Sequence, residues 1–203
     1  MIETYGRWPR VAAAALCPAW AAALANRRRL ARDGGWVAGL ALPILLAHQT
    51  EEWVRPGGFL PFANKRLLGS RRPDWPLTRR VGFHVNVTAG WGSAVAGMLL
   101  WKRSPGVAAG VVAMEAGNVA MHAGMAVRQR RYNPGLATAV VLMAPHAVAS
   151  ARWLARSGRM SRGGTAMAAL IGAAFAALPV SMKLRMRDGR HLRPPSPATA
   201  SEI

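Results

Sequence analysis

Apolar runs of about twenty residues alternate along this chain with short basic segments, a spacing that fits bilayer-spanning helices joined by loops. The runs are 36–54, 81–101, 105–127, 135–154 and 163–182. Each is bounded by turn or cap chemistry. Arg55-Pro56-Gly57-Gly58 closes the first, and Pro134 suits the opening turn of the fourth. Pro43 predicts a bend inside the first run, because a proline has no N–H for the helical ladder. Gly90, Gly97 and neighbouring small residues predict close helix packing in the second. The expected fold is all-α, a polytopic transmembrane bundle of five to six spans. The sixth would be the Ala-rich stretch 11–25, short for a span, which also reads as a signal-like segment or an interfacial helix. Three regions follow: an N-terminal segment 1–35, a helical domain 36–183, and a basic, Pro- and Ser-rich tail 184–203 expected to be disordered.

Charge sharpens this picture. The 203 residues carry a net charge of +19, with 27 Lys and Arg gathered between the apolar runs. A nucleic-acid binder would mix its charge into its fold, so no nucleic-acid partner is expected, and membrane lipid is. If successive runs are antiparallel, one face holds seven basic residues from 55–80, three from 127–133 and five from the tail. The other holds four, two and four. Positive-inside then turns the first face toward the cytoplasm, and a bacterial inner membrane is the expected location. One cysteine, Cys17, excludes an internal disulfide framework. The segment 55–80 is the longest connection. It reads as a headgroup-level or solvated loop.

Against this background the ionisable residues inside the runs stand out. Such a group costs on the order of 2.5–3.5 kcal/mol at a helix centre on insertion scales, so its presence marks a site. Three of eight acidic residues and four of five histidines lie there. His48, Glu51 and Glu52 share one helix face at i, i+3 and i+4, and Glu115, Asn118 and His122 share another. With antiparallel neighbours these groups meet at one end of the bundle, together with His84, Asn86, Asn133 and Thr138. His146 sits deeper and reads as a core histidine bonded to a neighbour. His84, near the interface, reads more simply as an interfacial residue than as a ligand.

Oxygen and nitrogen donors of this kind suit a divalent metal such as Zn, Fe or Mn. The candidate ligands are His48, Glu52, Glu115 and His122. Glu51 or Glu52 is the candidate base, and the partner not ligating could hold a histidine in its tautomer. The order His-x-x-Glu differs from the Glu-x-x-His of di-iron helix bundles.

His48-Gln49-Thr50-Glu51-Glu52 resembles the signature of the HXXEE-motif family of small bacterial membrane proteins. Glu115-x-x-Asn118-x-x-x-His122 and Asn133-Pro134-Gly135 resemble its weaker motifs. The resemblance covers roughly 36–155 and implies a membrane fold and a site, but no particular reaction. Glu51-Glu52-Trp53-Val54-Arg55 is also similar to the paired-glutamate motif of intramembrane proteases, but its arginine stands one residue too early, and Phe83 and His84 are adjacent rather than separated. Two functional classes are expected. One is a metal-dependent membrane hydrolase or oxidoreductase acting on a lipophilic small molecule. The other is a non-enzymatic proton or cation carrier. A polar cluster that only locks helices together would be the purely structural case.

Overall fold

The computed structural model describes residues 2–187. Its side chains are described from residue 5 onward. The tail expected to be disordered lies, beyond Arg187, outside the described residues. The described residues are mostly helical, with no strand among them.

The first helix, α1 (Ile2–Ala25), contains Pro9 and Pro18 and packs along the second. Trp8 and Ala12 are its buried anchors, with the Trp8 ring 5.0 Å from Trp53. The second helix, α2, comprises Trp36–Gly39 and Ala41–Trp53. The interruption at Leu40 lies one turn before Pro43, whose ring nitrogen has no proton to offer the carbonyl of Gly39. A connection follows, with helical turns Phe59–Phe62 and Ala63–Leu67. It is an ordered cap. Buried Asn64 donates to the carbonyls of Pro73 (2.9 Å) and Leu77 (2.8 Å) and accepts from the N–H of Leu77 (2.8 Å).

Helix α3 is built of Arg79–Phe83, a π-helical stretch His84–Trp91, and Gly92–Leu100. Thr78 caps its start by accepting from the N–H of Val81 at 3.2 Å. The wide turns coincide with Asn86, whose side-chain amide donates to the carbonyl of Gly82 (2.8 Å) and so competes with the ladder. Helix α4 (Pro105–Gln129) starts on proline and is central, touching α3, the next helix and the last. Helix α5 comprises Leu136–Thr138, a π-helical stretch Ala139–Met143, and Ala144–Ser157. Its wide turn precedes Pro145, which cannot bond back to Val141. Helix α6 (Arg162–Arg187) lies along α4. It alone among the described helices is long and apolar enough to cross a membrane.

The two ends of the bundle are closed differently. At one end Arg159 lies over the Trp101 ring at 5.0 Å and donates to the carbonyl of Asp33 at 2.8 Å. Val37, Ala38, Trp101, Ala108, Val112, Ala147 and Leu154 form the apolar core beneath it. At the other end, polar residues of α2, α4 and α5 meet.

The α4–α6 contact rests on glycines. A Cβ on Gly106 would lie 2.5 Å from the Gly164 carbonyl oxygen and 2.6 Å from its Cα. Gly106→Ala should therefore cost about 1–3 kcal/mol through overpacking. Gly124→Ala on the same helix meets nothing within 4 Å and should instead gain about 0.5–1 kcal/mol. Thermal unfolding of the two variants in detergent, with melting temperatures moving in opposite directions, is the check.

Candidate metal centre

The motif at the end of α2 contributes two carboxylates with opposite fates. Glu51, a candidate base on its sequence position, is fully engaged. Its Oε1 accepts from the Tyr132 hydroxyl (2.5 Å) and from the N–H groups of Gly135 (3.2 Å) and Ala137 (3.0 Å). Its Oε2 accepts from the N–H of Thr138 (2.7 Å) and from the Thr138 hydroxyl (2.5 Å). Three of these donors are the otherwise orphaned N–H groups that open α5. Glu51 thus caps a helix other than its own and sits at the positive end of its dipole. Burial and the facing carboxylate of Glu51 hold the Tyr132 phenol well above its usual range, so it stays a donor.

Glu52 faces the other way, toward two imidazoles. Its Oε1 lies 3.5 Å from His48 Nε2 and 3.2 Å from His122 Nε2, and the two rings are 4.9 Å apart. The networks on the far sides of the rings fix their tautomers. His48 Nδ1 is 3.0 Å from Thr138 Oγ1. That hydroxyl gives its own proton to Glu51, so His48 Nδ1 is the donor. Asn133 donates its amide N–H to the carbonyl of His122 (2.9 Å), which leaves Oδ1 to accept from His122 Nδ1 at 2.6 Å. Both Nε2 atoms therefore present lone pairs toward a carboxylate. Neither has a hydrogen-bond partner. His48 and His122 are 1% and 0% exposed, so the two Nε2 atoms are shielded from bulk water.

Three acceptors converging in a dry site need a cation between them, either a metal ion or protons on the imidazoles. The donor atoms of His48, Glu52 and His122 lie within 4.8 Å of one another, so the group could hold a metal ion. Their spacings to Glu52, 3.2 and 3.5 Å, match the separation of about 3.2–3.6 Å expected between ligands on metal bonds of roughly 2.0–2.2 Å. Two imidazoles whose Nδ1 protons are held elsewhere are the usual dress of metal-binding histidines.

Gly135 makes the approach possible. It adopts φ +98°, and a Cβ there would lie 2.5 Å from His122 Cε1 and 2.9 Å from Glu52 Cγ. Asn133, Gly135 and Thr138 thus form one loop-to-helix unit that Glu51 holds against the two histidines.

The other sequence candidates separate from this centre. Glu115, expected as a ligand, is paired with His146 instead, Oε2 to Nδ1 at 2.6 Å, and both are buried. His84 is exposed, 3.3 Å from the Thr88 hydroxyl. Asn86 accepts from the Gln49 amide at 3.1 Å, and Gln49 accepts from the Trp91 indole at 2.7 Å. Asn118 lines a cavity of about 740 Å³ whose wall also includes His48 and Glu52. Sequence reasoning missed Tyr132 and Gln49. Gln49, an uncharged amide inside the motif, was the legible signal.

The family described as "Protein of unknown function with HXXEE motif" matches residues 39–150. The chain belongs to this HXXEE-motif family. No curated protein and no solved structure matches it. The matched stretch includes every residue of the centre and its loop from His48 to Thr138, while α1 and α6 lie outside it.

Glu51→Gln would turn an amide N–H₂ toward N–H donors. A loss of about 1.5–3 kcal/mol is expected, the worth of hydrogen bonds to a charged group. Faster hydrogen exchange should be confined to residues 132–140, which reads out the loss of the cap rather than of the whole fold.

Proposed function

We propose that this HXXEE-family chain is a polytopic membrane protein with a buried two-histidine, one-carboxylate metal centre, and that it acts enzymatically on a lipophilic substrate drawn from the bilayer. The membrane part is supported by the apolar runs with basic connections and by the outward display of large apolar side chains. Leu99 and Val127 are each 79% exposed and Leu170 is 70% exposed, which water would penalise and lipid would not. The bacterial inner membrane, with the polar end toward the cytoplasm, is the placement that the charge distribution favours.

The observation that carries the metal reading is the convergence of His48 Nε2, His122 Nε2 and Glu52 Oε1, with both imidazole protons committed elsewhere. His48, Glu52 and His122 would be the ligands. The metal, Zn, Fe or Mn, would supply Lewis acidity or redox chemistry. Three protein ligands leave room for an exchangeable position, the hallmark of catalytic rather than structural sites. His48 and Glu52 also line the cavity, so that position would face it. Within this reading Glu51 is a positioning residue, because both of its oxygens are occupied. Thr138 and Asn133 hold the two rings. The carrier reading needs polar groups continuing to the far face. Glu115 and His146 extend the polar path inward, but the cavity wall has no ionisable residue besides His48 and Glu52, and of its α6 residues only Thr165 is polar.

Protein purified in detergent should contain about one equivalent of a divalent metal, or take one up with a rise in melting temperature. His122→Ala and Glu52→Gln should abolish binding. Glu115→Gln should keep the metal, because its partner is His146 and an amide oxygen can still accept from that ring. Metal analysis beside thermal unfolding decides this. A wild type that is metal-free and unshifted by added Zn, Fe or Mn would discard the metal reading in favour of protonated imidazoles and the carrier. His146→Ala leaves the Glu115 carboxylate buried without its partner and should cost about 3–5 kcal/mol.

A further inference from the structure

The cavity beside the metal centre has a direction, and the direction names a ligand class. Its floor is α4, through Met114, Gly117 and Asn118. One flank is α3, through Gly82, Val85 and Gly90. The other is α6, through a stripe of small residues at 165, 168, 169, 172, 173 and 176 at helical spacing, joined by the larger Phe175, Leu178, Pro179 and Met182. Thr165, Ala169, Ala173 and Ala176 line the cavity yet are exposed, so it opens sideways along α6, the helix able to cross a membrane.

While Gln49, Asn86, Asn118 and Thr165 also line the cleft, its ionisable lining, His48 and Glu52, is confined to one end. His48, Glu52 and Trp53 stand there, under the cap formed by Phe59, Leu68 and Leu77. His48 Nε2 is buried and unpartnered, and the Trp53 indole N–H is likewise unpartnered. From Met182 at that end to Thr165 at the other, α6 rises about 26 Å, most of a hydrocarbon thickness. The far part is walled by Leu45, Gly90, Ala113 and Ala168. A volume of about 740 Å³ lies within the range of sites that take one small molecule, and it suits a single chain with a small head.

We propose, resting on the metal-centre reading above, that this cleft binds a single-chain amphiphile. It enters between α3 and α6, lays its chain along the small-residue stripe of α6, and places a small oxygen head at His48, Glu52 and Trp53. Two neutral imidazoles and one carboxylate around a divalent cation leave a net positive charge, so an anionic oxygen head is favoured. The far end of the cleft, toward Thr165, acts as a ruler for chain length.

The test uses full-length protein in detergent and a fluorescent long-chain carboxylate as probe, displaced by straight-chain saturated carboxylates of increasing length. Displacement by the wild type should strengthen with length to an optimum and then fall. A two-chain phosphatidic acid should compete at least tenfold more weakly. Ala169→Trp fills the far end and should move the optimum to shorter chains, with at least tenfold loss for the longest. Ala166→Trp, exposed on α6 but outside the lining, should leave the profile unchanged. A flat length profile, equal competition by the two-chain lipid, or identical behaviour of the two tryptophan variants would overturn the assignment. Metal content is measured on the same samples. Metal with no length selectivity removes this inference and spares the centre. Length selectivity without metal removes the centre and leaves the cleft standing as a binding site.

Discussion

The Glu51 carboxylate holds this arrangement together. The start of a helix leaves N–H groups without partners, and ahead of α5 both Asn133 and Gly135 are buried. Glu51 reaches across from α2 and satisfies three of them. The same oxygens take the Thr138 hydroxyl proton, which turns that hydroxyl into an acceptor for His48. One carboxylate therefore sets a helix position, a loop conformation and a histidine tautomer. The two adjacent glutamates of the motif divide the work. Glu51 binds the scaffold, and Glu52, about 100° further round the helix, faces the imidazoles.

The Glu115–His146 pair shows why spacing alone misplaces a ligand. Glu115 and His122 lie on the same face of α4, two turns apart. Two turns are about 10 Å along the axis, so a shared face does not give a shared site. The wide turns of α3 and α5 alter the phase of the side chains beyond them. In α3 they accompany the Gln49–Asn86–Trp91 network that braces α2.

Positioning by glycine recurs at two close approaches of the chain to itself. Gly135 lies against His122 and Glu52, and Gly106 lies against Gly164. The first lets the α5 cap press on the centre. The second brings α6 against α4, which leaves the cleft on the side facing α3. A methyl group at either place would have to displace backbone or ring atoms rather than a flexible side-chain end.

Much of this was legible in the sequence because it depends on local pattern. Although Pro134, expected in an opening turn, lies just before the Gly135 cap of α5, the apolar runs, Pro105 and Pro43 set where helices start and bend. The observed helices 36–53, 105–129 and 162–187 follow them closely, since burial and the missing proline N–H act over a few residues. Antiparallel succession was enough to bring His48, Glu52 and His122 to one end. What the sequence could not hold is which lone pair meets which proton. That Glu51 caps α5, that Glu115 turns to His146, and that both Nε2 atoms face Glu52 are decided by rotations and heights of whole helices. Those are set by packing among residues far apart in the chain, and the sum of many small contacts leaves no local trace.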